Sequence, residues 1–250
     1  MRKTVLIFVS ALILTASHAF CQNSEKMAQE YVVRGTIILK GKEIDGYIKK
    51  MGHSLLDDKR FSSPWEFQKT IRFISKDIFE NKQKIKNKDY VKYSPKDIDG
   101  YHYNDDSLIY ISAKYSDMSA VGTGMIAKRK FMRKISDGKI SLFLHYQSPP
   151  SVSFEKPSEL QKIYTECAEN PDLVFRKGAD GKLKLVNSLN VEKEFEDCQK
   201  VVLKFKNEEY GTLENNKEKK SKLTSLVNKV VFRDEARLKA IKDYNETCGE

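Results

Sequence analysis

From Tyr31 to about Tyr146 the apolar positions recur with the short period of strands. Tyr31-Val-Val-Arg-Gly-Thr-Ile-Ile-Leu-Lys40 and Glu43-Ile-Asp-Gly-Tyr-Ile-Lys-Lys50 flank Gly41-Lys42, which predicts a hairpin. Trp65, Phe67, Ile71 and Phe73 share one parity, with Glu66, Gln68, Thr70 and Arg72 on the other, which predicts a half-buried strand over 65–73. Lys82 to Lys88 reads as a solvated loop. Residues 98–103 and 108–112 bracket Asn104-Asp105-Asp106 as a second hairpin. Residues 130–135 and 140–146 enclose Ser136-Asp-Gly-Lys139, the clearest turn in the chain.

Pro149-Pro150 punctuates, and the pattern then changes. Residues 159–168 fit a short helix or a strand. Leu173-Val-Phe-Arg176 and Leu183-Lys-Leu-Val186 bracket Gly178-Ala-Asp-Gly181 as one more hairpin. Val191, Phe195, Cys198, Val201 or Val202 and Phe205 recur every three to four residues, which predicts one amphipathic helix. Leu223 to Val231 and Asp234 to Asn245 carry helical spacing too. Strands followed by helices predict an α+β fold: an antiparallel β-rich domain over 27–150, then a hairpin plus a helical C-terminal region over 155–250.

The first residues obey a different logic. Arg2 and Lys3 precede an apolar stretch from Val5 to Ala16, and Ser17-His18-Ala19 supplies small residues where signal peptidase reads them. Residues 1–19 are therefore expected to be a cleavable secretory signal, cut between Ala19 and Phe20. The stretch is short for a membrane span, which needs roughly 20 apolar residues, and no transmembrane helix is expected in the mature chain. Cys21 follows His18, Ala19 and Phe20, a poor match to a lipoprotein signal. The expected setting is exported: periplasm, outer-membrane surface or secreted.

Charge refines the picture. Charged residues make up 32% and aromatic residues 10%, a folded profile, and the formal net charge is +10. Residues 189–250 hold thirteen basic and thirteen acidic residues, so the excess lies before them. Tyr90, Tyr93, Tyr101, Tyr103 and Tyr110 fall among lysines in the middle strands, a candidate binding face for an anionic glycan or envelope component. Nucleic acid is not expected as a partner.

Enzymatic signatures are weak. Gly122-Thr-Gly124-Met-Ile-Ala127 fits the loose dinucleotide fingerprint, but antiparallel hairpins surround it and Lys128-Arg-Lys130 follows, so no cofactor is expected. His53, His102 and His145 lack metal-ligand spacing, and HExxH is absent. Gly52-His-Ser54 fails the nucleophile elbow at Leu56. A Cys–His pair would join Cys167 or Cys198 to His145, and plentiful carboxylates leave a glycosidase pair open. The leading expectation is a non-enzymatic binding or structural module. The alternative is a periplasmic or extracellular hydrolase acting on polysaccharide, peptide or ester bonds.

Several short segments carry a family likeness: Gly46-Tyr-Ile48, Tyr93-Ser-Pro-Lys-Asp-Ile-Asp-Gly-Tyr101, Phe131-Met-Arg-Lys-Ile-Ser-Asp-Gly-Lys-Ile-Ser-Leu142, Val174-Phe-Arg-Lys177, Asp197-Cys198 and Tyr244-Asn-Glu-Thr-Cys248. In these the chain resembles a family of secreted and envelope proteins of Bacteroidota without a characterised activity. The chain departs from that pattern at Gln199, where a proline commonly follows Asp-Cys, and by carrying Cys167 in addition. The resemblance implies a bacterial, exported setting and no activity. It retains Cys198 and Cys248. Together with the inward-facing stripe that holds Cys198 and the helix end that holds Cys248, this predicts a Cys198–Cys248 disulfide. Cys167 is then free or paired with Cys21.

Overall fold

The structure, a computed structural model, describes residues 25–28, 31–50, 52–55, 59–62, 64–103, 108–116, 127–149, 157–211 and 222–249; the side chains of 52–55, 59–62, 157 and 222–234 are not among those described. The fold is α+β, with a ten-stranded antiparallel sheet and helices concentrated toward the C-terminus. The chain divides into two compact units between Ile109 and Tyr110.

In the first unit β1 (Val32–Leu39), β2 (Lys42–Lys49), β5 (Ile71–Ser75), β6 (Val91–Tyr93) and β7 (Gly100–Tyr103) lie in the order β7-β1-β2-β5-β6. A separate hairpin pairs β3 (Gly52–Leu55) with β4 (Lys59–Ser62). The β1–β2 hairpin forms as expected, but its turn is Lys40-Gly41, one residue earlier than the expected Gly41-Lys42, and Asp99 Oδ2 accepts the Gly41 N–H at 2.9 Å. Thr36 lies opposite Asp45 and donates its hydroxyl to it at 2.8 Å, fixing the register with a side-chain bond. On one side Val32, Tyr47, Ile74, Phe79, Ile85 and Tyr90 form a core cluster, in which the Tyr47 and Phe79 rings stack 4.0 Å apart.

The strand expected over 65–73 is corrected. Pro64–Phe67 is a helical turn, α1, and the strand begins only at Ile71. Proline has no N–H for a strand ladder, and its fixed φ suits the first turn of a helix. The alternating apolar residues are buried all the same: Trp65, Phe67, Ile71 and Phe73 all lie in the core. Burial was legible there, and backbone shape was not. A second short helix, α2 (Lys76–Asn81), had no sequence expectation; it carries Phe79 inward.

In the second unit β8 (Leu108–Tyr115), β9 (Lys128–Ser136), β10 (Ile140–His145), β11 (Asp172–Lys177) and β12 (Lys184–Leu185) follow in that order. β9 and β10 pair around the Ser136–Lys139 turn, with a bulge between Leu142 and Phe143. Residues 159–168, open between helix and strand, belong to a helix, α3 (Pro157–Glu169). Two clusters surround the strands. Ala113, Tyr115, Met132, Phe143 and Val174 form one. Ile140 and Phe175 meet Val191, Phe195, Val201, Ile241 and Tyr244 in the other. Val174 and Phe175 are neighbours in sequence but fall into different clusters, because successive strand residues point to opposite faces.

The single helix expected over 191–205 is also corrected. It is broken into α4 (Val191–Glu194) and α5 (Gln199–Lys206), with Cys198 well outside helical geometry at φ −134°, ψ 73°. The apolar period survives the break because Phe195 N–H bonds to Val191 O and Cys198 N–H to Phe195 O, holding successive turns in line. The two later helical patterns merge into one helix, α6 (Lys222–Thr247). Among the described residues no helix is long and apolar enough to cross a membrane.

Gly46 offers a test of the packing. It lies opposite Gly35, and a Cβ there would stand 2.3 Å from Ile74 O and 2.5 Å from Phe73 Cζ. Gly46→Ala is expected to destabilise the chain by about 2–3 kcal/mol in urea denaturation, through forced separation of β2 and β5. A change within about 0.5 kcal/mol would show that the strands have room.

Candidate functional site

Two polar constellations stand out, both in the second unit. The first runs across four strands. His145 at the end of β10 lies opposite Asp172, the first residue of β11. Its ring is fully buried; Nδ1 lies 3.2 Å from Asp172 Oδ2, and Nε2 lies 2.7 Å from Lys130 Nζ on β9. Tyr115 of β8 places its ring 4.7 Å away, and Gln147 Nε2 donates to Asp172 at 3.1 Å. The donors and acceptors match when Nδ1 carries the imidazole hydrogen, so that Asp172 accepts from it and Nε2 accepts from the Lys130 ammonium. An acyl-transfer triad would present Nε2 to a nucleophilic hydroxyl or thiol. Here that position faces a lysine. The arrangement satisfies a buried imidazole and ties β9, β10 and β11 together.

The second constellation gathers four separated segments. Asp197 lies in the break between α4 and α5. Its Oδ2 accepts the Tyr244 hydroxyl at 2.7 Å and stands 3.3 Å from Lys139 Nζ, while Oδ1 accepts Lys177 Nζ at 2.9 Å. Lys139 and Lys177 also lie over the Tyr244 ring, 5.4 and 5.2 Å from its centroid. Lys139 donates further to Cys248 O at 3.0 Å. Next to Tyr244, the Asn245 side chain accepts the Ile140 N–H at 2.9 Å and donates to Ile140 O at 2.8 Å. The amide thus pairs with the backbone at the start of β10 as a neighbouring strand would. Gly138 makes room for it: its φ is +146°, and a Cβ there would meet Asn245 at 2.7 Å. Beside Asp197, Cys198 is joined to Cys248 in a disulfide with a Cα–Cα distance of 6.0 Å, the pairing expected.

These groups perturb one another. Burial alone would push the Asp197 carboxyl up, but hydrogen bonds from Tyr244, Lys177 and Lys139, with the charge of Lys177, hold it far below the usual carboxylate range. Burial and the bond to Asp197 push the Tyr244 phenol up to about 12. In a neighbouring tie between α5 and α6, hydrogen bonds from Lys204, Tyr210 and Thr247 hold Asp243 equally low. Wherever the structure moves a carboxyl of the described residues from its ordinary acidity, it moves it down; Asp89, Asp97 and Asp137 complete the set. The clasp built on Asp197 is a permanent anion with three donors, suited to holding chain segments and not to moving protons.

The expected tyrosine face is corrected. Tyr90, Tyr101, Tyr103 and Tyr110 are buried, with Tyr101 at 0% exposure, and Tyr93 is half-buried, edge-on to Phe73 at 6.3 Å. Tyr101 donates its hydroxyl to Phe67 O at 2.8 Å, and Tyr103 meets the Phe67 ring edge-on at 5.6 Å. The rings fill the core because a long aromatic side chain on a two-sided strand buries more area than any alternative. Of the thiols considered with His145, Cys198 is spent in the disulfide. Cys167, on α3, is joined to no other cysteine of the described residues, and its thiol is pushed up by burial and by Glu166. Cys21, the cleavage site at Ala19 and Phe20, and Gly122 to Ile126 lie outside the described residues. No group of three or more His, Cys, Asp or Glu among the described residues could hold a metal ion. Sequence reasoning gave no role to Lys139, Lys177, Asp197, Tyr244 or Asn245. All five come from four short segments, around 139, 177, 197 and 244, that meet at this clasp. No family model, curated protein or solved structure matches the chain.

The clasp predicts the pH profile of stability. Asp197 has its folded acidity increased, so its contribution is complete above roughly pH 4 and is lost as pH falls. Tyr244 has its folded pKa raised to about 12, so its contribution is complete below roughly pH 10 and is lost as pH rises through 12. Asp197→Asn is expected to flatten the acid limb of a thermal-midpoint profile. Because Asp197 is 40% exposed, its cost at neutral pH is only about 1 kcal/mol. An acid limb unchanged by this substitution would contradict the assignment.

Proposed function

We propose that this chain is an exported module of the bacterial envelope or exterior that binds or supports other molecules without turning them over. The observation that carries the reading is the Cys198–Cys248 disulfide, which closes a loop of 50 residues at the clasp. Disulfides belong to oxidising compartments, which agrees with the leader-like residues 1–19 and the Ser17-His18-Ala19 cleavage signal. On the chain-entropy account such a crosslink contributes about 4 kcal/mol at most. The densest polar cluster among the described residues is engaged in holding the fold. The basic excess before residue 189 supports an acidic partner, an anionic glycan or envelope component.

A second reading, a periplasmic or extracellular hydrolase, is favoured by one observation, the Asp172–His145 pair, in which a carboxylate orients an imidazole as in general-base sites.

The full chain, expressed in a bacterium with its own leader, separates these. Exported material is expected to begin at Phe20, with Cys198 and Cys248 resistant to alkylation until reduced, and to leave ester, peptide and glycoside substrates intact. Retained Met1 or freely alkylated Cys198 would end the export reading. Turnover abolished by His145→Ala would install the hydrolase in its place.

A further inference from the structure

The charge of the chain is not spread evenly along it. Between Leu108 and Ser148 there are seven basic residues and two acidic ones, Asp117 and Asp137. Three of the seven have partners within the chain: Lys130 with His145, Lys134 with Asp137, and Lys139 with Asp197. The other four, Lys114, Lys128, Arg129 and Arg133, make no ion pair with a carboxylate of the described residues.

Strand geometry puts three of these four on one face. Arg129 and Arg133 are separated by an even number of residues on β9, so they share a face, and Arg133 lies opposite Leu144 of β10. Arg129 donates from Nη1 to Ser112 Oγ of β8 at 3.3 Å, which puts Ser112, and with it Lys114 two residues on, at the same face. Arg133 donates from Nη1 to the Tyr146 hydroxyl at 2.8 Å. Both guanidinium groups are therefore oriented by neutral hydroxyls, and no carboxylate of the described residues pairs with either. Lys114 and Arg129 are exposed and Arg133 is half-buried, whereas Phe131 between the two arginines is fully buried. Among the described residues the face offers cations and no exposed ring on which a nucleic-acid base could stack.

We infer that the β8–β10 face carrying Lys114, Arg129 and Arg133 binds a carboxylate-bearing acidic polysaccharide. This rests on the reading of the chain as an exported binding module, and it gives that module a surface and a ligand class. A planar guanidinium matches a carboxylate with two parallel hydrogen bonds, which an ammonium cannot reproduce. Arg129 and Arg133 are four strand residues apart, about 13 Å along the chain, too far to share one carboxylate. They suit a polymer that repeats its charge.

The test uses the full, oxidised chain with polygalacturonate as probe, dextran as the neutral control, and single-stranded DNA and anionic phosphatidylglycerol vesicles as competing polyanions. Polygalacturonate is expected to bind at low salt, to weaken as salt rises, and to outcompete DNA and vesicles, with dextran silent. Arg129→Gln with Arg133→Gln should weaken binding by roughly tenfold while thermal unfolding remains cooperative, and the double lysine variant should fall between. If the double glutamine variant does not fold, Lys114→Gln with Arg129→Gln replaces two exposed side chains and is read the same way. Unchanged affinity in a folded glutamine variant overturns the assignment of this face and leaves the binding module standing. Tighter binding of DNA or vesicles, or no binding of polygalacturonate at low salt, overturns the ligand class. Shortening of the polygalacturonate overturns the non-catalytic reading on which the inference rests.

Discussion

Asp197 carries the second unit. Set between two short helices and still partly exposed, its carboxylate has three donors from three other segments: Tyr244, Lys177 and Lys139. Each donor is anchored elsewhere. Lys139 leaves the β9–β10 turn, Lys177 ends β11 opposite Ile140, and Tyr244 belongs to the last turns of α6. Meeting them obliges the chain to leave the helix at 195–198, and that departure turns Cys198 toward Cys248. The break between α4 and α5, the disulfide and the docking of the last helix all meet at one anion.

Around this point the packing follows. Phe195 and Tyr244 bring their rings to 4.6 Å, and the α5–α6 contact continues through Lys204, Tyr210 and Asp243, where Lys204 Nζ and the Tyr210 hydroxyl both reach Asp243 Oδ2. On strand residues of the other parity, His145, Asp172 and Lys130 provide a separate polar tie across β9–β11. Two polar systems, one buried around His145 and one partly exposed around Asp197, thus hold the same strands, and the cations left over from both lie along β8 and β9, where the proposed ligand meets them.

The hairpins were legible because local chemistry fixes them: Gly41 and Ser136 to Lys139 lie between runs of period two, although the first turn sits one residue earlier than its expected Gly41-Lys42. Burial was legible as well, even where shape was not. Trp65 and Phe67 were expected inward on a strand and are inward on a helical turn, since Pro64 decides the backbone and parity does not. The helix break escaped because the stripe from Val191 to Phe205 keeps its period through a tightened turn; only the distant partners of Asp197 reveal it. The tyrosines misled in the other direction. Their spacing among lysines suits a surface, but Tyr101 and Tyr103 face the inside of their own unit, and sequence alone does not say which face of a strand is covered. The clasp was present in the sequence as five scattered residues without a stated role, because bonds between residues some fifty to one hundred positions apart leave no periodic trace.

Amide hydrogen exchange on the intact chain, compared before and after reduction of Cys198–Cys248, addresses the clasp most directly. If Asp197 and the disulfide together hold the end of α6, reduction alone should raise exchange at residues 244–248 and at Ile140, whose N–H is bonded to Asn245, by a modest factor. Reduction combined with Asp197→Asn should raise it far more, with the first unit unchanged. Exchange at these sites that is indifferent to both changes would contradict the account.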